Sequence, residues 1–124
     1  AVAFGMDAVL CTQMTADPFH PQSLRAMAGL CFHIPFYTHC HDQLNALFSH
    51  GFQFYVLDAS SGLDLHDVTF SFPLAFVCGS EGQGHLTDLC SVSATSIHIP
   101  MAPDVDSLNV AVSAGIVISS ISSL

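Results

Sequence analysis

Apolar and polar positions in this chain switch repeatedly between a helical and a strand-like period. In "HDQLNALFSHG" (41–51), Leu44, Leu47 and Phe48 recur at i, i+3 and i+4. His50 falls in the last turn and Gly51 follows, which predicts an amphipathic helix with a glycine stop. "DPFHPQSLRAMAG" (17–29) predicts a second helix, with Pro21 suited to its first turn and Gly29 just past its end. Between and after them come strand-like runs. "DAVLC" (7–11) is short and apolar, "CFHIPFYT" (31–38) carries Pro35 and so belongs at an edge or end, and "FQFYVLD" (52–58) alternates before running apolar. "PLAFVC" (73–78) is apolar throughout and predicts a fully buried strand, and "SIHIP" (96–100) a short strand closed by proline. "SSGLDLHDVTFSF" (60–72) reads as a polar loop and "LTDLC" (86–90) as a short helix. "DSLNVAVSAGIVISSISSL" (106–124) reads as a final helix whose Ala111, Ser113, Ala114 and Gly115 permit close backbone packing. Phe52, Phe54, Phe70, Phe72 and Phe76 read as core residues of strands.

Strands separated by helices of about ten residues imply parallel pairing in a layered α/β fold. No internal repeat, linker or low-complexity segment divides the chain, so residues 1–124 are expected to form a single domain. The chain opens on "AVAFG", which looks like the end of a helix with no strand before it. The domain is therefore expected to be incomplete at its N-terminus, with an apolar sheet face or edge left uncovered.

Composition narrows the function. Hydrophobic residues make up 51% of the chain and charged residues 9%. That balance implies a surface partly buried in a partner or in a second copy. Ten acidic residues face a single basic one, Arg25, for a formal net charge of −9. Such a field repels nucleic acid and anionic membranes, so any nucleic-acid function needs help from other residues, a partner subunit or protonated forms of the eight histidines. Five cysteines without CxxC spacing, and no signal peptide, point to a reducing, cytoplasmic-type compartment. The longest apolar run, "LNVAVSAGIVI", is too short to span a membrane.

Two stretches carry candidate chemistry. "GSEGQG" (79–84) follows the 73–78 strand, where α/β folds bind ligands, and it holds the chain's only glutamate, Glu81. It is neither a Walker loop, since no Lys-Ser/Thr pair follows, nor the dinucleotide fingerprint, since its glycine order is G-x-x-G-x-G. The pattern alone leaves a plain strand-to-helix turn and a ligand loop both open. In "IPMAPDVDSLNVAVSAG" (99–115), Asp106 or Ser107 can cap the last helix. Neither cap explains Asn109, a polar residue in an otherwise apolar first turn, or the two prolines flanking Met101.

"FVCGSEGQG", followed about twenty residues later by "IPMAPDVDSLNVAVSAGI", resembles motifs two and three of the SpoU (TrmH) branch of the trefoil-knotted SPOUT methyltransferases. The upstream "AFGMDAVLC…DPFHPQSLRAMAGLCFHIPF" resembles that family's region just after motif one, so the likeness covers essentially the whole chain. It implies a parallel-sheet, three-layer α/β fold with a C-terminal trefoil knot, truncated at its N-terminus. It also implies a homodimer that binds S-adenosylmethionine and transfers methyl to a ribose 2′-hydroxyl of rRNA or tRNA. Carried over to this sequence, the cofactor loops are Phe76, Val77, Cys78 and Gly79, then Ile99, Pro100 and Met101, then Ser107, Leu108 and Asn109. Gly79 and Gly84 keep loop backbone open, Leu108 and Ile99 pack on the adenine, and Glu81, Ser107 and Asn109 form the catalytic group.

Two departures matter. Motif one, whose asparagine and arginine share the catalytic work in the family, is missing, and Arg25 in "LRAMAG" matches a different segment and inherits no such role. The charge of −9 also predicts weak RNA binding by these residues alone. The alternative is therefore a catalytically incomplete knotted dimer that binds the cofactor or a protein partner without transferring methyl.

Other constellations carry less. "HCH" (39–41) with His33 offers two or three ligands on one strand face, too few for a zinc site, so no metal is expected. Cys78 lacks a positive neighbour that would make it a nucleophile and reads as a packing residue. No G-x-S-x-G elbow marks a hydrolase.

Overall fold

A computed structural model describes residues 1–12, 15–38, 41–59, 61–79 and 93–122. Among them the elements are β1 (Val9–Cys11), α1 (Pro21–Met27), β2 (Phe36–Thr38), α2 (His41–Ser49), β3 (Gln53–Leu57), β4 (Leu63–Asp64), β5 (Leu74–Val77), β6 (Ala94–His98) and α3 (Val110–Ser122). Short 3₁₀ turns occupy Val2–Phe4, Leu30–His33 and Leu65–Asp67.

Every strand pairing among the described residues is parallel. β1 pairs with β2, and a four-stranded sheet runs in the order β4-β6-β3-β5. The parallel α/β architecture expected from the alternation is present. β3 is hydrogen-bonded on both sides, with Tyr55 opposite Phe76 of β5 and Thr95 of β6. Successive side chains on a strand point to opposite faces, and the core divides accordingly. Tyr55 and Leu57 of β3, with Leu74 and Phe76 of β5, join Val117 and Ile121 of α3. Phe54 of β3, with Ala75 and Val77 of β5, joins Leu44 and Leu47 of α2. Among the described residues the sheet is thus covered by one helix on each face.

The helix boundaries follow local chemistry. Pro21 starts α1 and His20 Nδ1 accepts from Gln22 N at its N-cap. Ala28 (φ 49°) and Gly29 (φ 81°) close it in the left-handed region. α2 ends before Gly51 (φ 83°), and His50 Nδ1 lies 2.7 Å from the Ala46 carbonyl oxygen.

Four expectations are corrected. The 31–38 segment is a strand only from Phe36; Leu30–His33 turn in 3₁₀ form, and Pro35 contributes only its carbonyl to the ladder, accepting from Val9 N at 3.0 Å. β5 is half-buried rather than fully buried, because among the described strands it lies at the end of the sheet order. Phe54 and Phe70 are core residues, but Phe72 is exposed. A Cβ on Gly115 would meet nothing within 4 Å, so no close packing at that position requires the glycine. The 86–90 segment lies outside the described residues.

The 60–72 segment also holds more structure than a polar loop. Leu63 and Asp64 add a fourth strand beside Ile97 and His98, and Leu65 and Phe70 enter the core. Phe70 packs edge-on against Tyr55, whose hydroxyl accepts from Ser71 N at 2.9 Å. Gly62 makes this possible. Its φ is +114°, and a Cβ there would lie 2.5 Å from the Ser96 carbonyl oxygen. Gly62→Ala is expected to cost about 2–4 kcal/mol, from backbone strain plus overpacking. Urea denaturation checks this; a loss within about 0.5 kcal/mol, the range of ordinary surface changes, refutes the close approach of β4 to β6.

Candidate functional site: a cavity at the start of the last helix

The C-terminal ends of parallel strands open onto a cavity of about 360 Å³, within the size range of small-molecule sites. Leu57 and Ala59 reach it from the end of β3, and Cys78 and Gly79 from just beyond β5. Ile99 and Met101 follow β6, and Ser107, Leu108 and Asn109 lead into α3, which adds Val110 and Ser113. No charged side chain is among these lining residues. The walls are apolar, with a hydroxyl or amide at three places.

Asn109 explains how the last wall is held. Its Oδ1 accepts from Ala111 N at 2.9 Å, and its carbonyl accepts from Ser113 N at the same distance. It is the N-cap of α3. The helix therefore starts at Val110, four residues later than expected, and neither Asp106 nor Ser107 is its cap. Capping uses only the amide oxygen of Asn109, and the residue belongs to the cavity lining.

The chain matches the SpoU rRNA Methylase family over residues 1–119. It belongs to that family. It is 31% identical over 119 residues to the 23S rRNA (guanosine(2553)-2′-O)-methyltransferase RlmP of Bacillus subtilis, covering 95% of this chain and 48% of that protein. An uncharacterized tRNA/rRNA methyltransferase of Synechocystis is 30% identical over 125 residues, covering 95% and 44%. An AdoMet-bound rRNA methyltransferase from Sinorhizobium meliloti superposes with a TM-score of 0.84 at 27% identity, covering 95% of this chain and 46% of that one. An RNA 2′-O ribose methyltransferase gives 0.78 at 25%, covering 95% and 46%. The chain thus spans about half the length of the curated relatives it matches. Its α/β fold with parallel strands is the SpoU fold.

Of the residues that the SpoU resemblance nominates, the cavity gathers Cys78, Gly79, Ile99, Met101, Ser107, Leu108 and Asn109. Phe76, Val77 and Pro100 are not in its lining. Phe76 packs on the α3-side core and Val77 on the α2-side cluster, since alternate strand positions face opposite layers. Glu81 and Gly84 lie outside the described residues, as do His39 and Cys40 of the "HCH" stretch. Among the described residues no group of three His, Cys, Asp or Glu side chains could hold a metal. No helix among them is long and apolar enough to cross a membrane. Arg25 is exposed in the last turn of α1 and does not line the cavity.

The sequence reading overlooks Leu57, Ala59, Val110 and Ser113. Leu57 was accessible from the alternation that puts Tyr55 on the same face. Ser113 was accessible from its spacing, four residues after Asn109 and four before the buried Val117.

Cys78 is not the packing residue expected from the apolar run. It is exposed at the cavity, yet surrounding protein desolvates its thiol enough to push its pKa up, partly opposed by a backbone hydrogen bond. The thiolate is therefore scarcer at a given pH than in a free cysteine, the opposite of the shift that activates a nucleophilic thiol. Iodoacetamide labelling followed by peptide mapping is expected to modify Cys78 more slowly than a free thiol at pH 8, with the difference closing only as pH rises through the raised pKa. Faster labelling than a free thiol at pH 8 refutes this.

Proposed function

We propose that this chain forms the S-adenosylmethionine-binding part of an RNA methyltransferase that modifies a ribose 2′-hydroxyl of rRNA or tRNA. The observation that carries the reading is the convergence of three separate segments, ending β5, following β6 and preceding α3, on one neutral cavity. Their order matches the two motifs of the resemblance. The 2′-O site of transfer is supported by the Bacillus subtilis relative and by the 2′-O ribose methyltransferase structure, both so described. The cofactor is supported by the AdoMet-bound Sinorhizobium meliloti structure.

The residues present fit the cofactor. Leu57, Ile99 and Leu108 supply apolar wall for an adenine, and Ser107, Asn109 and Ser113 supply placed polar groups. Gly79 lines the cavity, and a Cβ there would meet no atom of the described residues within 4 Å, so their packing does not require glycine at that point. Close approach of a ligand to the loop backbone would. When bound, S-adenosylmethionine supplies a methyl group already activated on its sulfonium sulfur. What remains for the protein is alignment and removal of one proton from the attacking hydroxyl. Ser107 and Asn109, both in the lining, would take part in alignment, with Glu81 as their proposed catalytic partner.

The charge of −9, with one arginine and no lysine, assigns these residues the cofactor rather than the grip on RNA phosphates. A homodimer is part of the proposal. Val110, Val112 and Ile116 of α3 are exposed, and an uncharged helix with bare apolar positions suits a second copy. The family's trefoil knot is proposed likewise. The non-transferring alternative is the weaker reading, since the relatives are described as methyltransferases.

Isothermal calorimetry is expected to show binding of both S-adenosylmethionine and S-adenosylhomocysteine. Asn109→Ala should cost about 1 kcal/mol of stability through the lost cap and weaken both ligands about five-fold. No heat with either ligand at millimolar concentration overturns the reading.

A further inference from the structure

Ser113 is 5% exposed, and it is the one buried polar residue found among the described residues. Its backbone N–H is used, donating to the Asn109 carbonyl. Its hydroxyl has no hydrogen-bond partner among the described residues. Other serines of the same helix do otherwise: Ser120 donates to the Ile116 carbonyl at 3.1 Å and Ser122 to that of Ser119 at 3.1 Å. Yet no fully sealed side-chain oxygen is left unsatisfied among the described residues. The two facts are reconciled by the cavity, whose wall Ser113 forms. Among the described residues, that space is where its hydroxyl can find a partner.

In the empty protein a hydroxyl in that position gains no protein hydrogen bond to offset its partial burial, and only water in the cavity can meet it. Volume does not require it, since alanine fills nearly the same space. The neighbouring stripe positions, Val117 and Ile121, are apolar. The group gains something only when the cavity is filled.

We propose that Ser113 is a ligand-specificity residue whose hydroxyl hydrogen-bonds the polar edge of a nucleoside base seated in the cavity. This rests on the cofactor reading above and deepens it. The base end of the ligand is indicated by the described lining beside Ser113: Leu57, Ile99 and Leu108 provide apolar surface for a flat heterocycle. A serine hydroxyl both donates and accepts, so it can meet either kind of group on a purine edge.

The test compares wild type with Ser113→Ala, using calorimetry with S-adenosylhomocysteine and with adenosine, and thermal denaturation of the unliganded proteins. The expected result is a three- to ten-fold loss of affinity for both ligands, in the range of one neutral hydrogen bond. The unliganded variant is expected to melt at the same temperature as wild type or higher, since the hydroxyl has no partner in the empty protein. Ser113→Cys, which keeps the volume but bonds weakly, should show the same loss. Unchanged affinities, a loss confined to S-adenosylhomocysteine, or a lowered melting temperature of the empty Ser113→Ala protein each overturn the assignment. Wild-type protein that binds neither ligand instead brings down the cofactor reading, and this inference with it.

Discussion

Strand β3 must be covered on both faces and paired on both edges at once, and the other described elements of the four-stranded sheet are arranged to do so. Its Phe54, Tyr55 and Val56 are all buried, which parallel pairing to β5 and β6 alone does not achieve. Phe54 needs α2 on one side and Tyr55 needs α3 on the other. Parallel strands demand crossovers, and crossovers place helices on the faces, so topology and burial impose the same solution. The cavity is a by-product of that solution. It lies where the strands end and their connections part.

The polar groups of the site are tied to the same framework. Asn109 orders the start of α3, and the residue four positions on returns a hydrogen bond to its carbonyl. The cavity wall is thus the first turn of the helix that fills the core. Neutral lining beside a strongly acidic chain further separates two tasks. The described lining offers shape and apolar contact to a small molecule, while contact with a polyanion needs charge that these residues lack.

Local signals made much of this legible in advance. Pro21 with Gly29, and the Leu44–Leu47–Phe48 spacing with Gly51, mark α1 and α2 because caps and periodicity act within a few residues. β4 was not legible. A two-residue strand exists only through its partner in β6, and the glycine that admits it is indistinguishable in sequence from a turn glycine. The cap of α3 was also hidden, because Asp106, Ser107 and Asn109 are all good capping types and tertiary packing chooses among them. For the site, motif likeness nominated three loops that border one cavity, but strand alternation decided which strand side chains face it. Val77 faces the α2 layer for that reason, and Leu57, absent from the motifs, lines the cavity.

One helix serves as both wall and plug. Ser113, Val117 and Ile121 lie along a single buried stripe, the first at the cavity and the other two in the core. Undocking α3 therefore dissolves the cavity and exposes the sheet in one event. Anything that occupies the cavity holds the helix down and depletes the open, protease-sensitive population in proportion to its concentration.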